Sequence, residues 1–276
     1  MRTALDYIRG IGTAAAAAFQ FLSRLPVPVT LHYTDAVFRR SVIFYPLVGA
    51  VLGALLWASG ALLQGVLPAL PAAAVLLALW VALTGALHLD GLMDTADGVL
   101  SHRPRERMLE IMKDSRVGAM GVVVCMLVLL LKWSLLAALL GRGSGWSDLA
   151  VLPLVLLWSR CAMAAALVCW PYARQAEGGG MGSLFAGLGF RHLAGAVLLA
   201  AALTLAAGWG LVQAGAGGTP PVRALLLLPA AAAAGCALLG VLLHRKLGGL
   251  TGDTYGAINE GIETLLLILW VGIVSY

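Results

Sequence analysis

The chain has 276 residues, of which 61% are hydrophobic and only 11% are charged. Soluble domains carry about 25% charged residues, so this composition excludes a soluble globular domain and predicts a multi-pass membrane protein. The formal net charge of +5 does not indicate a nucleic-acid partner. Basic residues in a membrane protein mainly set its orientation, and the sequence contains no patch of interleaved basic and aromatic residues.

The first 25 residues predict an amphipathic helix that lies in the membrane interface. Apolar residues at helical spacing, such as Leu5, Phe19 and Leu22, oppose polar residues such as Arg9 and Gln20. A cleaved signal peptide is the alternative, but no small-residue cleavage site follows the apolar run. We therefore expect this helix to be retained.

Six further apolar runs are long enough to cross about 30 Å of hydrocarbon, and a shorter seventh run ends the chain. The six lie at roughly 42–66, 71–89, 117–140, 149–170, 192–213 and 224–243, and the seventh lies at 261–276. Because the connecting loops are short, residues 1–276 are expected to form a single integral membrane domain. The predicted fold class is all-α: a polytopic helical bundle of about seven spans plus the N-terminal interfacial helix.

Lys and Arg residues are distributed unequally between alternate loops. Fourteen of the 18 lie on one side, only Arg142 and Arg223 lie on the other, and Lys132 and Arg160 fall inside spans. The positive-inside rule makes the basic side cytoplasmic, which predicts a bacterial cytoplasmic membrane protein with a cytoplasmic N-terminus. Arg160, near the middle of its span, needs a cavity or an acidic partner. Lys132 lies nearer a span end and is expected to snorkel to the interface.

The segment from Thr84 to Gly98 brings three carboxylates to the predicted membrane boundary. Asp90, Asp94 and Asp97 are spaced by four and three residues, which places them on one face of a helix. No basic residue at helical spacing pairs with them, so the face needs a cation. Oxygen ligands suit Mg²⁺ or Mn²⁺ and not zinc. The alternative is a polar helix end exposed to water.

Two further polar segments have the composition of phosphate sites. Residues 113–118 combine Asp114, Ser115 and Arg116 just before a span, and a helix N-terminus beside an arginine is a natural phosphate site. Residues 170–185 form a glycine-rich loop with Arg174, which either cradles phosphate oxygens or is only a connector.

The last predicted loop, residues 248–260, contains a second oxygen-rich cluster. Asp253, Asn259, Glu260 and, just beyond the loop, Glu263 supply oxygens, and Thr251 and Tyr255 supply hydroxyls. If this loop packs against the helix of Asp90, the two clusters form one site. A solvated polar loop is the alternative.

Several motifs occur together and in the order found in one enzyme family. They are HLDGLMDTADG at 88–98, KDSRVGAMG at 113–121 and GGLTGDTYGAINE at 248–260, with FLSRLPVP at 21–28 and FYPLVGAVLG at the entry to the first span. This chain resembles the cobalamin synthase family, the adenosylcobinamide-GDP ribazoletransferases, over its whole length.

The resemblance implies a Mg²⁺-dependent membrane enzyme that joins adenosylcobinamide-GDP to α-ribazole or α-ribazole 5′-phosphate and releases GMP. On this basis Asp90, Asp94 and Asp97 are the predicted metal ligands, and these three with Asp253 are the predicted catalytic residues. The predicted substrate-binding residues are Arg24, Asp114, Ser115, Arg116, Arg160, Arg174, Thr251, Asn259 and Glu260. The sequence leaves open whether the protein forms a homo-oligomer.

Two other functions share parts of this pattern. A CDP-alcohol phosphotransferase also carries spaced Asp residues on membrane helices, but its pattern continues with an Ala-Arg step where this chain has Leu-Met-Asp after Asp90-Gly91. A cation or proton transporter could use Asp90 and Arg160, but transporter sites tend to lie near the membrane midplane.

Overall fold

In the computed structural model, which describes residues 4–142, 145–174, 187–213 and 219–275, the chain is helical over most of that length. Two 3₁₀ segments, Val42–Phe44 and Gly145–Val151, lead into the α-helices that begin at Tyr45 and Leu152. The predicted all-α class is confirmed. The α-helices are α1 (Ala4–Leu22), α2 (Asp35–Ser41), α3 (Tyr45–Gln64), α4 (Ala69–Thr84), α5 (Leu87–Leu100), α6 (Arg105–Ile111), α7 (Ala119–Leu140), α8 (Leu152–Cys169), α9 (Phe190–Gln213), α10 (Thr219–Leu247) and α11 (Gly252–Ser275).

Six helical stretches are long and apolar enough to cross a membrane on their own. A seventh candidate is the pair α4 and α5, which is bent by 88°. The 16 residues of α4 extend about 24 Å, so we assign the crossing to α4 and place α5 across the end of the bundle. This agrees with the prediction of about seven spans. The six single stretches are Asp35–Gln64, Ala119–Leu140, Asp148–Cys169, Phe190–Gly210, Leu225–Leu247 and Gly252–Ile273.

The corner between α4 and α5 ends the second span five residues earlier than predicted. Gly85 and Ala86 both adopt left-handed backbone conformations, with φ of 62° and 58°. Two such residues in succession cannot continue a right-handed helix, and glycine is the residue that adopts this conformation at least cost. The side chain of Arg24 packs directly over Gly85, where a Cβ atom would overlap it. The corner therefore turns α5 away from the direction of α4.

The centre of the bundle is formed by α8 and α11. In their apolar stretches 72% and 61% of residues are buried, against 22% in the stretches of α7, α9 and α10. Gly49 and Gly53 allow α3 to approach α8 closely, because a Cβ at either position would overlap the backbone of Leu156 or Leu152. The more exposed outer helices present large apolar residues such as Leu127 and Leu205 at the surface, as a lipid-facing wall requires.

The last helix corrects the predicted loop at 248–260 and the predicted run at 261–276. Helix α11 begins at Gly252, and the backbone N–H of Thr254 is capped by the Thr251 hydroxyl at 3.3 Å. The polar residues Asn259 and Glu260 are at most 4% exposed, because they face charged partners inside the bundle and not water. The prediction of a loop was wrong, since polarity alone does not reveal such interior partners.

The N-terminal helix is confirmed as α1, which starts at Ala4. Its small residues Ala14, Ala17 and Ala18 are at most 1% exposed, and Ala18 belongs to the main hydrophobic core. Small side chains let a helix pack closely along its neighbours. Its position in the membrane interface stays a prediction.

Candidate active site

The acidic residues of α5 and α11 meet at one end of the bundle, which we call the α5 end. It contains α5, α6, the starts of α7 and α11, and the segment after α8. Gly91 of α5 packs against the backbone of Asp253, where a Cβ would lie 2.6 Å from the Asp253 carbonyl oxygen, and Gly256 packs on the carbonyl of His88. The two helix backbones are therefore in contact. The structure therefore places Asp253 beside the acidic face of α5, which is the arrangement that the sequence left open.

Asp94 lies in the middle of this group of carboxylates. Partial burial, followed by the negative charges of Asp253, Asp90 and Asp97, raises the pKa of Asp94 from its usual value near 4 to about 6. Arg174 acts in the opposite direction, but with a smaller effect. Four carboxylates close together repel one another, so a cation bound among them would stabilise the site.

Arg174 reaches the acidic group because the segment before it pairs with the segment before α11 in a parallel β-bridge between Tyr172 and Leu250. The backbone N–H of Ala173 donates to the Leu250 carbonyl at 2.8 Å, and the N–H of Leu250 donates to the carbonyl of Pro171 at 2.8 Å. Gly249 permits this close pairing, since a Cβ there would lie 2.7 Å from Ala173. Arg174 then forms an ion pair with Asp253 at 3.5 Å.

Asp97, which the sequence predicts to be a metal ligand, has a structural role in the helix bundle. Its two carboxylate oxygens accept the backbone N–H groups of Gly118 at 2.7 Å and Gly121 at 2.8 Å. These are unsatisfied donors at the start of α7, so Asp97 caps that helix from α5. A Cβ at Gly118 or Gly121 would overlap the carboxylate. The donors that the sequence assigned to a phosphate are thus occupied by Asp97.

The predicted phosphate-binding segment before α7 is exposed. Arg116 donates two side-chain hydrogen bonds to Asp114, at 3.0 and 2.7 Å. These bonds lower the pKa of Asp114 to about 2. The Arg116 side chain is 87% exposed, and Ser115 is also exposed. The segment borders the site, but its charges pair with each other.

A second charged group lies deeper in the bundle. Lys132 of α7 pairs with Glu260 at 2.6 Å and with Glu263, and Arg160 of α8 pairs with Glu263. Asn259 donates to Glu263 at 3.1 Å. The prediction that Arg160 meets an acidic partner is confirmed. The prediction that Lys132 snorkels was wrong: it is 2% exposed, because two acids on α11 provide partners at its own depth.

This deep group joins three helices and fixes the position of α11. Its two cations and two carboxylates balance in charge, which is the condition for stable ionic groups away from water. Arg160, Asn259 and Glu260 therefore lie in the interior, apart from Asp94. Lys132 was absent from the predicted site, whereas Glu263 was predicted only as part of the oxygen-rich cluster. The two basic residues inside predicted spans were a signal that acidic partners lie at the same depth.

The remaining predicted residues lie around the α5 end. Arg24 is exposed at the α4–α5 corner. The hydroxyl of Thr251 donates to Asp253 at 3.3 Å. Most of the predicted glycine-rich loop, residues 175–186, lies outside the described residues. His88 was missed, although it opens the motif at 88–98; it is 2% exposed, and neither of its ring nitrogens has a hydrogen-bond partner in the described structure.

The acidic group is better suited to a metal ion that binds together with a substrate than to an ion that the protein holds permanently. Among the described residues, no three His, Cys, Asp or Glu side chains converge into a metal site. With Asp97 used as a cap, Asp90 and Asp94 remain as ligands on α5, opposite Asp253. Mg²⁺ usually binds through one or two carboxylates plus substrate phosphates and keeps several waters. Asp90 and Asp94 meet that requirement.

Comparison with known proteins identifies the family. The chain matches the family described as Cobalamin-5-phosphate synthase over residues 14–271. It is 45% identical to the adenosylcobinamide-GDP ribazoletransferase of Pseudomonas entomophila, over 91% of this chain and 95% of that protein. It is 44% identical to the enzyme of the same name from Desulfitobacterium hafniense, over 91% of this chain and 93% of that protein. It is 39% identical to the one from Brevibacillus brevis, over 92% of this chain and 96% of that protein. No solved structure matches the chain. With its motifs, helical membrane fold and nearly full-length match, the chain belongs to the cobalamin-5-phosphate synthase family.

Proposed function

We propose that the protein joins adenosylcobinamide-GDP to α-ribazole or α-ribazole 5′-phosphate, giving adenosylcobalamin or its 5′-phosphate and GMP. The relatives carry the name of this activity. The observation that supports it most directly is the placement of Asp253 and Arg174 against the acidic face of α5. Phosphoryl transfer requires mainly positioning and electrostatic stabilisation from a protein, and these residues can provide both.

Arg174 is the proposed phosphate-binding residue. Its ion pair with Asp253 is long, at 3.5 Å, and its side chain is 14% exposed, so phosphate oxygens can reach it from the α5 end. A guanidinium binds phosphate oxygens by charge-assisted hydrogen bonds. Arg116, nearby and highly exposed, is proposed as a second phosphate contact that exchanges Asp114 for substrate.

Asp253 is the proposed proton acceptor. A ribose hydroxyl of the ribazole attacks the phosphorus next to the cobinamide arm, the bond from this phosphorus to the bridging oxygen breaks, and that oxygen leaves with GMP. The hydroxyl proton passes to Asp253, which lines a cavity large enough to admit part of the nucleophile. Asp90 lines the same cavity and is the alternative acceptor.

Mg²⁺ is the proposed cofactor, with Asp90 and Asp94 as its protein ligands. The ion would neutralise charge that develops on the transferring phosphate. Asp97 is not included in this ligand set, because its oxygens cap α7.

The proposed location is the bacterial cytoplasmic membrane, with the α5 end and the N-terminus on the cytoplasmic side. The excess of Lys and Arg in the loops of that side supports this orientation. A nucleotide-activated substrate and free Mg²⁺ are also cytoplasmic solutes. The orientation is tested by replacing Ser115 with cysteine and adding a membrane-impermeant thiol reagent. Labelling at this position is expected in opened cells and not in intact cells.

The activity is tested with purified protein in liposomes by measuring GMP release from adenosylcobinamide-GDP. Release is expected with α-ribazole or its 5′-phosphate and only with Mg²⁺ present. Asp94→Asn should remove most of the release. Glu106→Gln, which removes an exposed acid of α6, is the matched control and should keep it. Absence of release from the unmodified protein with either ribazole form would overturn the proposed function.

A further inference from the structure

The short helix α6 packs against both the acidic helix α5 and the end of α10. Its residue Met108 and its C-cap residue Met112 form a small apolar cluster with Leu247 of α10, separate from the main hydrophobic core, and all three are 8% exposed or less. Gly98 brings α5 against this cluster, because a Cβ there would lie 2.5 Å from the Cγ atom of Met112. Helix α6 is therefore held by packing and is not a free surface segment.

The start of α6 contacts the chain where α10 ends. The guanidinium of Arg105 lies against Gly248, which follows the last residue of α10 in a left-handed conformation with φ of 71°. A side chain at Gly248 would overlap this guanidinium. Gly248 also begins the segment that leads to Asp253. Both ends of α6 thus contact elements that border the acidic group.

The last turn of α6 presents a backbone carbonyl to Arg174. Carbonyl groups in the last turn of a helix lack an intrahelical donor. The N–H of Lys113, which would reach Leu109 in a continued helix, donates to the carbonyl of Glu110 at 3.0 Å. The Leu109 carbonyl accepts a hydrogen bond from Nη2 of Arg174 at 3.3 Å. The guanidinium thereby pairs with a carbonyl that the helix itself leaves open.

The same nitrogen of Arg174 forms the ion pair with Asp253, at 3.5 Å. Nη2 is therefore held between a carbonyl of α6 and a carboxylate of α11. An arginine side chain has several rotatable bonds, and contacts from two sides restrict the orientations that its guanidinium can adopt. A side chain that is ordered in advance loses less conformational entropy when it binds a ligand. Helix α6 thus supplies one of the two contacts that order this guanidinium.

We propose that α6 positions Arg174 for the phosphates of the nucleotide substrate, and that Met112 is the positioning residue that keeps α6 in place. Met112 is 3% exposed, so it acts through α6 and the Leu109 carbonyl and not by touching the substrate. This inference rests on the proposed function. It predicts an effect on one substrate only, because adenosylcobinamide-GDP binds through Arg174, whereas α-ribazole has no phosphate to present to it.

The first test truncates Met112 and compares the two substrates. Met112→Ala should raise the KM for adenosylcobinamide-GDP at least about fivefold, because a small displacement of a positioning group is costly, and should leave the KM for α-ribazole unchanged. Met112→Leu keeps the volume of the side chain and should keep both KM values. Glu106→Ala truncates an exposed side chain of α6 and is the control, which should change neither. A lowered Tm with both KM values unchanged in Met112→Ala would show a role in stability alone and overturn the inference.

The second test determines whether Met112 acts through Arg174. Arg174→Gln alone should raise the KM for adenosylcobinamide-GDP. Adding Met112→Ala to Arg174→Gln should raise it by less than about twofold further, because two residues that act through one contact are not additive. If the separate increases multiply in the double variant, Met112 acts independently of Arg174 and the inference is wrong. Absence of GMP release from the unmodified protein would instead refute the proposed function.

Discussion

Replacing Asp97 by Asn tests whether this residue caps α7 or holds a metal. Asparagine keeps one acceptor oxygen, but its NH₂ group must face the N–H of Gly118 or Gly121, so one of the two hydrogen bonds at 2.7 and 2.8 Å is lost. A hydrogen bond to a charged group contributes about 1.5–3 kcal/mol. Loss of the negative charge at a helix N-terminus adds about 0.3–1 kcal/mol. The expected loss in the free energy of unfolding is therefore about 2–4 kcal/mol.

The measurement is thermal unfolding in detergent, followed by fluorescence of the eight tryptophans, together with GMP release below the transition. At roughly 2–4 °C per kcal/mol, Asp97→Asn should lower Tm by about 4–16 °C. Its remaining activity should require the same Mg²⁺ concentration as the unmodified protein. Asp94→Asn is the matched comparison and should do the opposite: Tm is kept, while the Mg²⁺ requirement rises or activity is lost. An unchanged Tm with a raised Mg²⁺ requirement in Asp97→Asn would show that Asp97 is a metal ligand and would refute the capping role.

Three further substitutions or conditions test the deep charged group, the backbone pairing beside Gly249 and the acidic face of α5. Glu263→Gln leaves a buried cation without its acid, which costs about 3–5 kcal/mol. Tm should therefore fall by at least about 6 °C. Adding Lys132→Met should restore part of the lost Tm, because it balances the charge of the group again. Equal Tm values for the single and double variants would contradict this pairing. Gly249→Ala places a Cβ 2.7 Å from Ala173, so it should displace Arg174 and raise the KM for adenosylcobinamide-GDP. Gly272→Ala is the control and should leave this KM unchanged, because a Cβ there has nothing within 4 Å. Because the pKa of Asp94 is raised to about 6, protons should compete with Mg²⁺ as pH falls through 6. Between pH 7 and pH 5 the ionised fraction drops from about nine-tenths to about one-tenth, so the Mg²⁺ concentration for half-maximal GMP release should rise about tenfold; a requirement independent of pH would exclude Asp94 as a ligand.

The spans and the acidic face were predictable because each follows from a local, periodic property. Apolar runs of about 20 residues are set by the thickness of the membrane. The common face of Asp90, Asp94 and Asp97 is set by helical geometry alone. Even the contact between α5 and α11 could be proposed, since two polar segments at one end of a bundle have few other partners.

The pairings of individual charges were not predictable, because they join residues far apart in the chain. Lys132 and Glu260 are separated by 128 positions, and nothing near Lys132 in sequence reveals an acid at its depth. Likewise, the spacing correctly puts Asp97 on the acidic face. Its carboxylate oxygens nevertheless accept hydrogen bonds from Gly118 and Gly121 at the start of α7, a contact that the spacing does not reveal. Left-handed residues at Gly85 and Ala86 ended a span inside a run that hydropathy alone continues to residue 89.

The two charged groups of the bundle differ in balance, and this difference has a consequence for substrate binding. The deep group pairs Lys132 and Arg160 with two acids and needs no further ion. In the acidic group of Asp90, Asp94 and Asp253, Arg174 pairs with Asp253, while Asp90 and Asp94 form no ion pair in the described residues. Negative charge is therefore in excess within this group. A pyrophosphate substrate adds more negative charge to this site and would be repelled unless a divalent cation enters with it. On the proposed function, Mg²⁺ and adenosylcobinamide-GDP should therefore each raise the affinity of the protein for the other, since linkage makes such coupling reciprocal. α-Ribazole brings no negative charge to the site, so its affinity should hardly change with Mg²⁺. Equilibrium binding of each substrate with and without the ion measures the contrast.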